Sequence, residues 1–124
     1  MRFGYRIDSA QRLVVLSADH RPTVDEWFEA MEAMTSDPDY QPGFDVIYDR
    51  TRSDPPHDTA QTREWAERHA ALAATHGGRL AVVVSTPLAY SVARTAAVIA
   101  ARRGATIEVF WCERDARLWL GRAA

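Results

Sequence analysis

The chain has 124 residues, of which 47% are apolar and 26% charged, with a formal net charge of −2 and one cysteine. That is one domain's worth of chain with the balance of a folded globular protein, not of a disordered or fibrous one. A near-neutral total gives no footprint for nucleic acid, and a single cysteine, Cys112, excludes an internal disulfide and a cysteine-based zinc site.

In FGYRID, Phe3, Tyr5 and Ile7 alternate with Gly4, Arg6 and Asp8, the period of a half-buried strand. RLVVLSA, residues 12–18, is an apolar run expected of a strand covered on both faces. Only Ser9, Ala10 and Gln11 separate the two, so they are expected to form an antiparallel hairpin. Pro22 then precedes TVDE, where Thr23 as N-cap and Glu26 three residues on make a capping box. The helix that follows keeps Val24, Trp27, Phe28, Met31 and Met34 on one side and ends before DPDYQPG.

FDVIYD, residues 44–49, reads as the third strand, and a helix runs from about Thr59 to His76, closed by Gly77 and Gly78. RLAVVVS (79–85) is the fourth strand, and Thr86-Pro87 opens a helix that reaches Gly104. TIEVFWC (106–112) is the fifth strand and ERDARLWL a short closing helix. The order β-β-α-β-α-β-α-β-α predicts a single α/β domain with one five-stranded mixed sheet. Strand one should be antiparallel at an edge and the later neighbours parallel, joined by right-handed crossovers.

In such a sheet, ligands gather beyond the carboxyl ends of the parallel strands, where helix N-termini also point. Three junctions share that rim: RTRSDPPHDT after strand three, Ser85-Thr86-Pro87 after strand four, and Cys112-Glu113-Arg114 after strand five. Arg50 and Arg52 leave strand three there, and Arg94 lies two turns into the next helix, a set suited to a phosphate or carboxylate. Ordinary pairing with Asp49, Asp54 and Asp58 is the competing reading for these arginines.

Catalytic motifs are sparse. His69 and His76 are about 10 Å apart along one helix, too far for two ligands of one ion, so no metal is expected and the histidines read as solvated or capping. Ser53 and Ser85 lack the GxSxG elbow of a nucleophile, and no GxGxxG or P-loop occurs, so no cofactor is expected. The alanines 89, 93, 96, 97 and 100 give the third helix a small-residue face for close packing, with a dimer contact as the sharper alternative. The tryptophans 27, 65, 111 and 119 read as core or interface anchors.

The C-terminal IEVFWCERDARLWL resembles the ending of SpoIIAA-like domains of the STAS group (sulfate transporter and anti-sigma-factor antagonist), through Glu108-Val109, Phe110, Ala116 and Trp119-Leu120. RLAVVVS, the opening hairpin, the TVDEW helix and a strand ending in Asp49 are similar to that group too. The resemblance implies a regulatory binding module switched by phosphorylation near the start of the helix after strand three. Asp58-Thr59 then marks the switch, with Thr59 the first candidate and Ser53 the second. In this chain Asp54-Pro55-Pro56-His57 stands where the family pattern has apolar positions. Similarity of this branch to Sec14-like lipid-binding modules implies the second reading. There a small acidic molecule or lipid sits on a rim made of Asp49, Arg50, Arg52, Asp58, Ser85, Thr86, Tyr90 and Arg94.

The first expectation is therefore a non-catalytic regulatory module with a protein partner, and the second a small-molecule or lipid-binding domain. An enzyme acting on a small anionic metabolite is third. A homodimer through the third or fourth helix is expected. MRFGYRID has no apolar leader core and no run approaches a membrane span, so the expected location is the cytoplasm.

Overall fold

The computed structural model describes residues 3–52 and 58–123. Along the chain run β1 (Phe3–Asp8), β2 (Leu13–Ala18), α1 (Val24–Thr35), β3 (Asp45–Asp49), α2 (Thr59–His76), β4 (Leu80–Val83), α3 (Pro87–Ala101), β5 (Ile107–Phe110) and α4 (Glu113–Trp119). The strands form one sheet in the order β1-β2-β3-β4-β5, with β1 antiparallel to β2 and every later pair parallel. The expected α/β class, element order and mixed sheet are all present.

The sequential order decides the layering. Each step from β2 to β5 moves in the same direction across the sheet, and right-handed crossovers then put all three connecting helices on one face. Val14, Leu16, Val46, Tyr48, Leu80, Val82 and Val109 accordingly pack against α1, α2 and α3 in the main core. The opposite face carries Leu13, Ile47, Ala81 and Val83 against Ala116 and Leu120 of the short α4 segment. Its cover stops short of the sheet's far side, where Ser17 of β2 is exposed. RLVVLSA is thus covered on both faces only in its first half.

The helices start where the caps predict. Thr23 Oγ1 accepts from Glu26 N at 3.0 Å while Glu26 Oε1 accepts from Thr23 N at 2.8 Å. Asp58 and Gln61 make the same reciprocal box at α2, at 2.8 and 3.1 Å. Each box satisfies two donors that a helix start leaves without partners. Gly77 (φ 71°) closes α2, and Gly78 (φ 83°) runs against β3 so closely that a Cβ there would strike the Phe44 carbonyl.

Strands β4 and β5 are shorter than their apolar runs. Val83 pairs with Phe110 at the end of the ladder, and beyond it both chains turn to begin α3 and α4. Phe110 faces Trp119 at 5.6 Å between ring centres, while Trp111, on the other side, stacks flat on Tyr90 of α3 at 4.8 Å. Trp111 remains 52% exposed, so of the four tryptophans it is not a core anchor.

At the opposite end of the parallel strands, Asp45 is buried and holds two arginines. Arg79 donates to it from its backbone N (2.7 Å) and from Nη2 (3.0 Å), and Arg122 from Nη1 (2.7 Å). Arg122 also donates to the carbonyls of Gln11, at 2.8 Å, and Arg12, at 2.9 Å. One carboxylate thereby ties the hairpin turn, β3, β4 and the chain after α4 together.

Candidate functional site

Strand alternation brings the chemistry inward. Val46 and Tyr48 of β3 face the main core, and Arg50, the next residue of that parity, continues the row as its backbone N donates to Val83 O at 3.0 Å. Its side chain enters a cleft between the sheet and the helices. Trp27 comes from α1, Thr62 and Trp65 from α2, and Val82 from β4. On α3, Ala93 and Ala96 line the same cleft. Both are buried alanines on the small-residue face, which here does two things at once. It lets α3 approach closely, and it leaves space where larger side chains would fill it.

The cleft is open to solvent and offers about 40 Å³ of space. Among the described residues Arg50 is its single charged group. No carboxylate of the described residues pairs with it. Burial pushes the guanidinium below its ordinary arginine value; the nearby Tyr48 acts in the opposite sense and Arg21 adds to the lowering. An arginine stays protonated regardless, so the cleft is lined by a partly desolvated positive charge.

Among the described residues, four buried side-chain polar atoms lack a hydrogen-bond partner. Two of them, Arg50 Nε and Trp27 Nε1, belong to residues lining this one cleft. Buried donors are nearly always satisfied, because an unmet one costs its full desolvation. Trp27 is only 1% exposed and is boxed by Phe28 at 4.9 Å, Trp65 at 5.1 Å and Tyr48 at 5.8 Å, so its ring has little freedom to seek a partner. Both atoms are buried in residues whose other atoms line the cleft, so unmet donors lie next to a largely apolar space.

Beside the cleft, His69 of α2 stacks on Trp65 at 5.2 Å with the rings 4° apart, and burial lowers its pKa to about 4. The expectation that the histidines are solvated or capping fails here. The interior stripe of α2 (Thr62, Trp65, Ala66, His69, Ala70) passes through this position, and a neutral imidazole packs there as a flat apolar ring. Among the described residues, no three His, Cys, Asp or Glu side chains gather as metal ligands. Among them, too, no helix is long and apolar enough to cross a membrane.

Of the remaining rim residues, none of those described lines the cleft. Asp49 folds back on its own turn, accepting from Thr51 N at 2.9 Å and Thr51 Oγ1 at 2.7 Å. Ser85 Oγ donates to Thr51 O at 3.2 Å, which joins two of the three junctions. Thr86 caps α3 by accepting from Ala89 N, at 3.1 Å. Arg94 pairs with Glu108 at 2.7 Å rather than with Asp49 or Asp58, and Asp54 lies outside the described residues. Tyr90 is committed to Trp111. Arg52 and Thr59 are exposed, and Asp58 caps α2. Ser53, with Asp54 to His57, lies outside the described residues.

Sequence reading therefore found Arg50 and missed its surroundings. The parity of Val46, Tyr48 and Arg50 was readable and points the arginine inward. No sequence signal places Trp27, Thr62, Ala93 and Ala96 around it, because they come from three different helices. No family model, curated protein or solved structure matches the chain.

Proposed function

We propose that the chain is a non-catalytic, STAS-like binding module whose ligand is a small anion held in the cleft beneath Arg50. The observation that carries this reading is a half-buried arginine that lines an apolar cleft just past the end of a parallel strand, without a carboxylate partner among the described residues. An unpaired cation in an apolar surround costs stability, and ligand sites are where such costs are tolerated. The position also agrees with the general habit of open α/β sheets, which bind near the carboxyl ends of their strands.

The test is thermal unfolding of the wild type and of Arg50→Met across a panel of small anions at constant ionic strength. A ligand for this cleft raises the wild-type Tm with concentration and leaves Arg50→Met unmoved. Equal shifts in both proteins, or none in either, would reject the reading.

A second reading, a protein-partner switch at Thr59, is favoured by one observation. Thr59 is exposed at the first turn of α2 while Asp58 supplies the cap, so its hydroxyl has no capping duty. A phosphate there would meet the positive end of the helix dipole, with Asp58 as a repelling neighbour. Mass spectrometry of the protein purified from its own cells tests this: absence of phosphate on Thr59 under all growth conditions argues against it.

A further inference from the structure

Resting on the reading that the cleft takes an anion, we infer that its ligand is a short-chain monocarboxylate about the size of propionate or butyrate. The carboxylate would accept from Arg50 and Trp27, with its apolar end among Trp65, Val82, Ala93 and Ala96. Four features of the cleft select this class.

Charge comes first. The cleft offers one cation among the described residues, so a monoanion neutralises it, whereas a phosphate dianion would leave a buried negative charge uncompensated. The second is hydrogen-bond sense. The orphan atoms, Arg50 Nε and Trp27 Nε1, are both donors, and neither residue has any acceptor to offer. An ionised carboxylate is acceptor-only and meets the Nε edge of a guanidinium with two oxygens. An amide or alcohol would bring donor protons of its own, for which the described side chains of the lining offer the Tyr48 and Thr62 hydroxyls but no carboxylate.

Third is the wall. Val82, Ala93 and Ala96 are apolar, so a ligand that is polar all round, such as inorganic phosphate, would desolvate against them without return. The last is size. The cleft offers about 40 Å³ and opens to solvent, so it takes a short apolar end, while a longer acyl chain would run out into water.

The experiment uses the ¹⁵N-labelled full chain and follows the Trp27 indole N–H and the Arg50 Nε–H by NMR. Propionate, butyrate, octanoate, inorganic phosphate and propionamide are titrated separately into the wild type, Arg50→Met and Arg50→Lys. Propionate and butyrate are expected to move both signals saturably, with Kd on the order of 1 mM for so few atoms. Propionamide and phosphate should leave them in place. Arg50→Met should abolish the Trp27 response, and Arg50→Lys, which keeps the charge without the Nε edge, should weaken it about tenfold or more.

If phosphate alone moves the signals, the cleft is an anion site and the carboxylate inference is overturned. If octanoate binds more than tenfold tighter than butyrate, the size inference is overturned while the charge reading stands. If no anion moves either signal, both the inference and the reading beneath it fall.

Discussion

A guanidinium whose Nε is buried without an acceptor is a local debit in folding free energy. Arg50→Met keeps the length and apolar stem while removing the charge, so in ligand-free buffer it should stabilise the protein by about 1 kcal/mol. For a chain of this size that is a rise of roughly 4 °C in Tm. Thermal unfolding checks it, and a variant less stable than wild type would mean that Arg50 is structural. His69 supplies a second prediction. Its folded pKa is about 4, against 6.5 unfolded, so the unfolded chain binds the proton first as pH falls. Stability is full above about pH 6.5 and declines between there and about pH 4, by roughly 3 kcal/mol in all. Denaturant titrations at several pH values should show this slope, and His69→Phe should flatten it. The burial of His69 was not evident in the sequence, because histidine is usually exposed and it is the packing of α2 against Trp27 of α1 that puts it inside.

Helix α3 carries the cleft in its spacing. Ala93 and Ala96 sit one turn apart on its buried face, so Ala93→Leu would place a branched side chain in the cleft. Anion binding should be lost while the protein still folds, which calorimetric titration and circular dichroism together can establish. At α2, Asp58→Ala removes one side of the capping box and should cost about 1 kcal/mol, measured by urea unfolding. These elements were legible because their signals are local: Thr23 with Glu26, Thr86 with Pro87, and Gly77 at the end of α2. Strand ends were less so. RLAVVVS and TIEVFWC stay apolar past the last paired residues, because Val84, which still donates to Phe110 O at 2.9 Å, serves the core and Trp111 serves the Tyr90 stack. The dual use of α3's alanines, close packing and vacancy, could not be read from their spacing, which is the same for either.

In the whole molecule, two ends of one sheet do different work. The end at Asp45 is a lock, with Arg79 and Arg122 closing the hairpin, β3 and the C-terminal segment around a buried carboxylate. Asp45→Ala leaves two arginines facing a vacated acceptor and should cost about 3 kcal/mol, read as a lowered midpoint in urea. At the other end, where β3 and β4 hand over to helices, Arg50 has no carboxylate partner among the described residues and its Nε is unmet. Chain order alone told which strands were parallel, and hence where this end lies. It did not tell that α1, α2 and α3 share a face, although right-handed crossovers in a sequentially ordered sheet require it. The most direct test of that division is a high-resolution crystal structure of the protein grown in propionate. The account predicts density for a carboxylate in the cleft with an oxygen about 2.8 Å from Arg50 Nε and the Arg50 side chain still turned inward. An Arg50 swung out to solvent, with the cleft collapsed or filled by neighbouring apolar side chains, would contradict it.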